Sequence, residues 1–110
     1  MSESRLMSAI GFAMKAGKCY SGEVAVQKVL GSQRALLILL DSSASKATLK
    51  RWAERSINHG IECLEVENLG GAIGRGNRMV AAITDRGFAD MIKGIYTKAP
   101  HNGADNGGVC

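Results

Sequence analysis

The sequence predicts an α/β domain, a three-layer α/β/α sandwich around a small mixed sheet of about four strands. Segments with helical spacing of apolar residues alternate with short apolar segments typical of strands. Residues 35–40 form an uninterrupted apolar run, as expected for a central strand covered on both faces. The chain has 110 residues, of which 45% are apolar and 22% charged, which fits one globular domain. We expect that domain over residues 1–96.

The first half of the chain contains two helices and two strands in alternation. Residues 4–15 place Leu6 and Ile10 at helical spacing and predict the first helix, which Gly17 ends. A brief strand is expected at 18–20. A second helix follows at about 21–30, with its first residue, a serine, as N-cap. The apolar run at 35–40 is then the second strand.

The second half repeats the alternation. The third helix is expected over residues 45–59, with Trp52 and Ile57 among its inward side chains and Gly60 just beyond its end. The remaining elements are expected as a strand at 61–66, a short helix at 68–73, a strand at 79–84 and a final helix at 85–95. Residues 97–110 are rich in Gly and Asn, contain the only proline and offer little to bury, which predicts a disordered tail.

The charge is positive and uneven along the chain. Fourteen basic against ten acidic side chains give a net charge of +4, and residues 1–60 carry nine basic and four acidic ones. A basic half suits a polyanionic partner such as a nucleic acid, although the same charge is also compatible with simple solubility. The start of the chain has no apolar stretch of signal-peptide length, and no run approaches a membrane span. We therefore expect a cytoplasmic protein without a membrane partner.

The cysteines and histidines predict neither a metal site nor a disulfide. The three cysteines include no Cys-x-x-Cys pair, and the two histidines are not spaced as metal ligands. Reduced thiols in a cytoplasm are expected, with Cys19 and Cys63 acting as small core residues. Cys110 ends the expected tail.

Catalytic and cofactor motifs are not supported by the spacing of the residues. No Ser-His-acid or Cys-His set can be assembled, and His59 sits in a last helical turn, where a histidine usually interacts with the helix terminus. The glycine-rich stretch at 69–76 is not followed by Lys-Ser or Lys-Thr, and it precedes a strand instead of following one. The sequence therefore predicts no enzyme, no metal and no cofactor.

Two loops remain as candidate binding elements. Residues 15–23 contain two lysines and lead into a helix N-terminus, where free backbone N–H groups suit a phosphate. Residues 74–78 contain two arginines and two glycines. In a fold of this order both loops could lie at one end of the sheet and frame a basic cleft. From spacing alone, an anion site and a pair of solvated turns stay equally open.

An ordered set of short motifs resembles a known family. The set comprises Ala16-Gly17-Lys18, Ser21-Gly22-Glu23, the strand ending at Asp41, Leu69-Gly70-x-Ala72-Ile73-Gly74, and Val80-Ala81-Ala82-Ile83-Thr84-Asp85 followed by Gly87-Phe88-Ala89. Together these motifs, spread over residues 4–95, resemble the L7Ae/L30e ribosomal protein family, and within it the bacterial YlxQ-type branch.

The resemblance implies an L30e-like fold that binds structured RNA, typically a kink-turn, without catalysis. It implies a first surface before and within the second helix, and a second one in the loop before the last strand. The first surface comprises Gly17, Lys18, Ser21, Gly22, Glu23, Gln27 and Lys28. The second comprises Gly74, Arg75, Gly76, Asn77, Arg78 and Met79. Ribosomal RNA or the ribosome is one candidate partner, and a monomer is expected.

Two other functions remain open at this point. The same fold could serve as a protein-interaction module without specific RNA binding. A small hydrolase or nucleotide binder using the glycine-rich stretch is the third hypothesis.

Overall fold

A computed structural model describes the backbone of residues 2–98 and the side chains of residues 5–97. The helices are α1 (Ser2–Lys15), α2 (Glu23–Gly31), α3 (Lys46–Asn58), α4 (Leu69–Ile73) and α5 (Arg86–Lys98). The strands are β1 (Cys19–Ser21), β2 (Leu37–Asp41), β3 (Glu62–Val66) and β4 (Val80–Ile83). The nine elements follow the predicted order, and the α/β fold with a four-strand sheet is confirmed.

The sheet has the strand order β1-β4-β2-β3. Strand β2 pairs in parallel with β3, whereas β4 is antiparallel to both of its neighbours, β1 and β2. Val80, the first residue of β4, therefore lies opposite Leu40 near the end of β2. Strands β1, β2 and β3 all finish at the end of the sheet where β4 starts. We call this end the carboxyl end of the sheet, and the other the opposite end.

Helices cover both faces of the sheet, and β2 divides its side chains between them. Leu37 and Leu39 pack into a cluster with residues of α1, α4 and α5, while Ile38 and Leu40 pack with residues of α2 and α3. All four side chains are buried. This two-sided burial confirms the prediction of a central strand, because a strand with helices on both faces has no exposed side.

The boundary between β1 and α2 differs from the prediction. Ser21 is not the N-cap of α2, because it pairs with Ala81 as the last residue of β1. Gly22 occupies the cap position with φ 93°, a left-handed conformation that favours glycine, and it provides no side-chain cap. The first N–H groups of α2 are therefore left without the hydroxyl acceptor that the sequence predicted.

Two predictions at helix ends also need correction. Ile57 does not face the core, since 65% of it is exposed. The buried neighbour is Ser56, whose hydroxyl donates a hydrogen bond of 2.8 Å to the carbonyl of Trp52. Helix α5 runs to Lys98, and the hydroxyl of Thr97 donates to the Lys93 carbonyl at 2.8 Å. Residues 97 and 98 are thus helical, while the rest of the predicted tail, residues 99–110, lies outside the described residues.

None of the helices within residues 2–98 is both long enough and apolar enough to cross a bilayer.

The burial of the two core cysteines predicts that their thiols react slowly in the folded protein. Cys19 and Cys63 are both buried, and desolvation raises the pKa of the Cys19 thiol to about 11. In a Cys110→Ser chain we expect both thiols to resist a disulfide reagent at pH 8 and to react together once urea unfolds the protein, because thiolate is the reactive form. Rapid reaction of either thiol in the folded chain would contradict this packing.

Candidate nucleic-acid interface

Four connections meet at the carboxyl end of the sheet. Three of them follow β1, β2 and β3, at residues 22, 42–45 and 67–68, and the fourth leads into β4 at residues 74–79. Because β4 is antiparallel to β1 and β2, its approach lies among the exits of the other strands. Helices α2 and α3 both begin here, so the positive ends of their dipoles face the same side of the molecule.

Asp41, whose side chain is buried, holds three of these connections together through its carboxylate and its backbone N–H. Its Oδ1 accepts a hydrogen bond of 2.7 Å from the N–H of Leu69, at the start of α4. Its Oδ2 accepts from both the N–H and the hydroxyl of Ser43. The backbone N–H of Asp41 donates to the carbonyl of Met79 at 2.9 Å. Burial by itself raises the pKa of Asp41, but the bonds from Ser43 and Leu69 outweigh burial and hold this pKa below its ordinary value.

Close backbone packing fixes the loop at residues 74–79. Gly70 lies directly beneath the loop, and a Cβ built on it would be 2.6 Å from the carbonyl oxygen of Arg75. The N–H of Arg75 donates to the Gly70 carbonyl at 2.8 Å, and Gly74 ends α4 with φ 78°. Gly70 therefore allows the close approach of the loop, and Gly74 allows the helix to end. This is a structural reason for the motif that does not involve a nucleotide.

The side chain of Arg78 lies against the N-terminus of α2. A Cβ built on Gly22 would be 2.7 Å from Nη1 of Arg78, so the guanidinium covers the Gly22 backbone. The Arg78 Nε is buried and has no hydrogen-bond partner in the described part of the chain. A guanidinium and a helix N-terminus are both positive and both rich in donors, and together they favour an anion.

Glu23 is the acidic residue at this N-terminus, and it is already paired. Its Oε2 accepts a hydrogen bond of 2.8 Å from Nη2 of Arg51, on the neighbouring helix α3. Both side chains are substantially exposed, so this ion pair contributes little to stability and can be exchanged for other partners.

Most of the residues that the sequence singled out lie at this end of the sheet. They are Ser21, Gly22 and Glu23, the loop residues Gly74, Arg75, Gly76, Asn77, Arg78 and Met79, and, on the exposed side of the next turn of α2, Gln27 and Lys28.

Gly17 and Lys18 lie elsewhere. The carbonyl of Lys18 accepts a hydrogen bond of 2.9 Å from the N–H of Thr84, just after the end of β4. Strand β1 separates Lys18 from Gly22 by ~13 Å, because the chain advances four residues between them at about 3.3 Å each, and Gly17 lies beyond Lys18. The predicted continuous loop at 15–23 is therefore divided, and its first part faces the opposite end of the sheet.

The connection after β2 belongs to this end of the sheet as well, although its sequence did not predict this. Residues 42–45 lie at the carboxyl end, and Ser45 caps α3 by accepting from the N–H of Thr48 at 3.1 Å. Lys46 and Arg51 follow on α3. The sequence feature that marks this connection is a serine-rich segment directly after the central strand. It could be assigned to the site only once the strand order was known.

The fold and the site define the class: a small α/β protein whose sheet brings an arginine-containing loop, residues 74–79, to the N-termini of two helices. A structure described as a protein with unknown function from Bacillus halodurans C matches with a TM-score of 0.76 at 27% identity, covering 84% of this chain and 97% of the other. The Giardia lamblia 15.5kD RNA binding protein has the same fold, with a TM-score of 0.69 at 14% identity and coverage of 89% and 88%. Within residues 2–98 no group of three or more His, Cys, Asp or Glu side chains could hold a metal ion.

Sequence relatives identify the family, although no family model matches the chain. The RNA-binding protein YlxQ of Bacillus subtilis (strain 168) is 37% identical over 86 residues, covering 76% of this chain and 86% of the relative. The RNA-binding protein YlxQ of Enterococcus faecium is 30% identical over 92 residues, covering 81% and 88%. The chain belongs to the YlxQ family.

The three hydrogen bonds to the Asp41 carboxylate predict that its loss lowers the stability of the fold. In Asp41→Asn the amide group cannot accept all three hydrogen bonds, and we expect a loss of about 1–3 kcal/mol in the free energy of unfolding at pH 7, measured with urea. The pKa of Asp41 is lowered on folding, so the stability it contributes is present above the ordinary value of 3.8 and is lost as the pH falls through the folded value.

In Asp41→Asn, the free energy of unfolding should therefore lack the part of its pH dependence that comes from the Asp41 carboxylate. Asp90→Asn, at an exposed position on α5, is the matched control and should behave like the wild-type protein. Equal stability and an unchanged acid profile for Asp41→Asn would contradict the anchoring role.

Proposed function

We propose that this protein binds structured RNA at the carboxyl end of its sheet, without catalysing a reaction on it. The observation that carries the proposal is the Arg78 guanidinium lying over the N-terminus of α2, with Arg75 exposed in the same loop. Both YlxQ relatives are named as RNA-binding proteins, which supports RNA as the anion. Arginine suits this role because its planar fork matches phosphate and its face can stack on a base.

The shape of the site favours an irregular RNA over a uniform duplex. The major groove of an RNA helix is too deep and narrow for side chains to read, whereas bases in internal loops are accessible. Here the loop at 74–79 and the start of α2 present backbone N–H groups, two arginines and the acceptor Glu23 on neighbouring segments. Phosphate contacts would position the RNA, and Glu23 would accept from exposed base edges.

The resemblance to the L7Ae/L30e family specifies the proposal further. It implies a kink-turn or a related internal loop, with ribosomal RNA as one candidate, and a monomeric protein in the cytoplasm. On the first surface the proposed contacts are Ser21, Gly22, Glu23, Gln27 and Lys28. The alternative is a protein-interaction module of the same fold.

Fluorescence anisotropy tests this proposal directly. We expect tighter binding to a kink-turn hairpin than to a plain duplex of equal length, with strong dependence on salt. Arg75→Gln and Arg78→Gln should each weaken binding by about tenfold or more, because a hydrogen bond to a charged group is worth about 1.5–3 kcal/mol. Each should also reduce the log–log salt slope by about one unit. Arg86→Gln, at the opposite end of the sheet, is the control and should bind normally.

Three other results would contradict parts of the proposal. Equal, salt-sensitive binding to both RNAs would overturn kink-turn recognition and leave general RNA binding. Normal binding by the two arginine variants would remove this loop from the interface. No binding to either RNA would favour the interaction module.

A further inference from the structure

The layer formed by α2 and α3 differs sharply in charge from the β3 edge of the sheet. Between residues 22 and 60, on the layer formed by α2 and α3, the basic side chains are Lys28, Arg34, Lys46, Lys50, Arg51 and Arg55, and the exposed acidic ones are Glu23 and Glu54. The β3 edge carries Glu62, Glu65 and Glu67, and residues 61–73 contain no basic side chain. A polyanion bound at the carboxyl end is therefore attracted across α2 and α3 and repelled along β3.

Helix α3 extends the basic surface away from the loops. Lys46 is its first residue, at the carboxyl end of the sheet, and Lys50 lies one turn further, about 6 Å along the helix axis. Both side chains are exposed. Arg51, next to Lys50, reaches the start of α2 through its ion pair with Glu23. The row of Lys46, Lys50 and Arg51, which we call the α3 basic row, is thus continuous with the candidate interface.

The acidic residue of α3, Glu54, lies four residues after Lys50 but makes no salt bridge with either lysine. Neither Lys46 nor Lys50 forms a salt bridge within the described part of the chain. Like charges at positions i and i+4 destabilise a helix by about 0.2–0.5 kcal/mol. The pair is unfavourable for the free protein and becomes favourable when an external anion lies along the helix.

The face lacks the groups that single-stranded nucleic acid requires. Bases of a single strand stack on exposed aromatic side chains. Trp52 is fully buried, beneath Arg55, and no exposed aromatic side chain occurs on α2 or α3. A row of lysines without a stacking surface suits the phosphate backbone of a duplex.

The geometry points to a second RNA contact: the α3 basic row binds the phosphate backbone of the duplex stem that flanks the internal loop. This inference rests on the proposed function, since the loops at the carboxyl end must hold the RNA first. The loops would set specificity, and α3 would add affinity that depends on salt and on the length of the stem.

The test compares three RNAs that share one kink-turn. One has two short stems, and each of the other two has one stem lengthened by a full helical turn. We expect the wild-type protein to bind one of the lengthened RNAs more tightly and with a steeper salt slope. Lys50→Gln, one turn beyond the carboxyl end of the sheet, should reduce that gain, with a slope lower by about one unit, yet bind the short RNA normally. Glutamine keeps the helix propensity, which a thermal melt by circular dichroism verifies.

Arg86→Gln removes the same charge from the other layer and serves as the control. If the lengthened stems give no gain, or if the control loses as much as the α3 variant, the inference is overturned while the proposed function stands. If the wild-type protein fails to bind even the short RNA, the proposed function itself fails, and the inference fails with it.

Discussion

The antiparallel placement of β4 between β1 and β2 is the constraint on which the site depends. A four-residue strand whose side chains are all buried, Val80–Ile83, occupies the middle of the sheet. Because it runs against its neighbours, the chain must approach it at the edge where the other three strands end. The arginine loop at 74–79 is thereby brought to the N-termini of α2 and α3. A parallel β4 would place that loop at the other end, beside Lys18.

The loops at this end are held in place by a buried carboxylate whose hydrogen bonds are satisfied. They present arginine side chains that form no salt bridge in the described part of the chain. A buried carboxylate is unfavourable unless donors surround it, so Asp41 fixes the positions of Ser43 and Leu69. Gly70 lets the loop at 74–79 pack directly on α4. The Arg78 guanidinium lies on this rigid base, over the N-terminus of α2, and Lys46 and Lys50 are exposed on α3. These are the groups that the proposed RNA contact would use.

Local patterns in the sequence predicted the order of the elements, but the pairing between distant segments decided the site. The apolar run ending at Leu40 was sufficient to predict a central strand. The strand pairing between Ser21 and Ala81 could not be predicted, since it joins residues far apart in the chain. It turned an expected helix cap into a strand residue and separated Lys18 from Gly22. Ser43 and Lys46 went unassigned for the same reason, because their proximity to the arginine loop follows from strand order alone.

The most direct test of the RNA interface is an NMR titration of the ¹⁵N-labelled protein with a kink-turn RNA. We expect chemical-shift changes at the amides of Gly22, Glu23 and residues 74–79, extending to Ser43 and Lys46. The amides of Lys18, Thr84 and Arg86, at the opposite end of the sheet, should remain unchanged. Changes concentrated at that opposite end, or no changes at saturating RNA, would contradict the assignment of the interface.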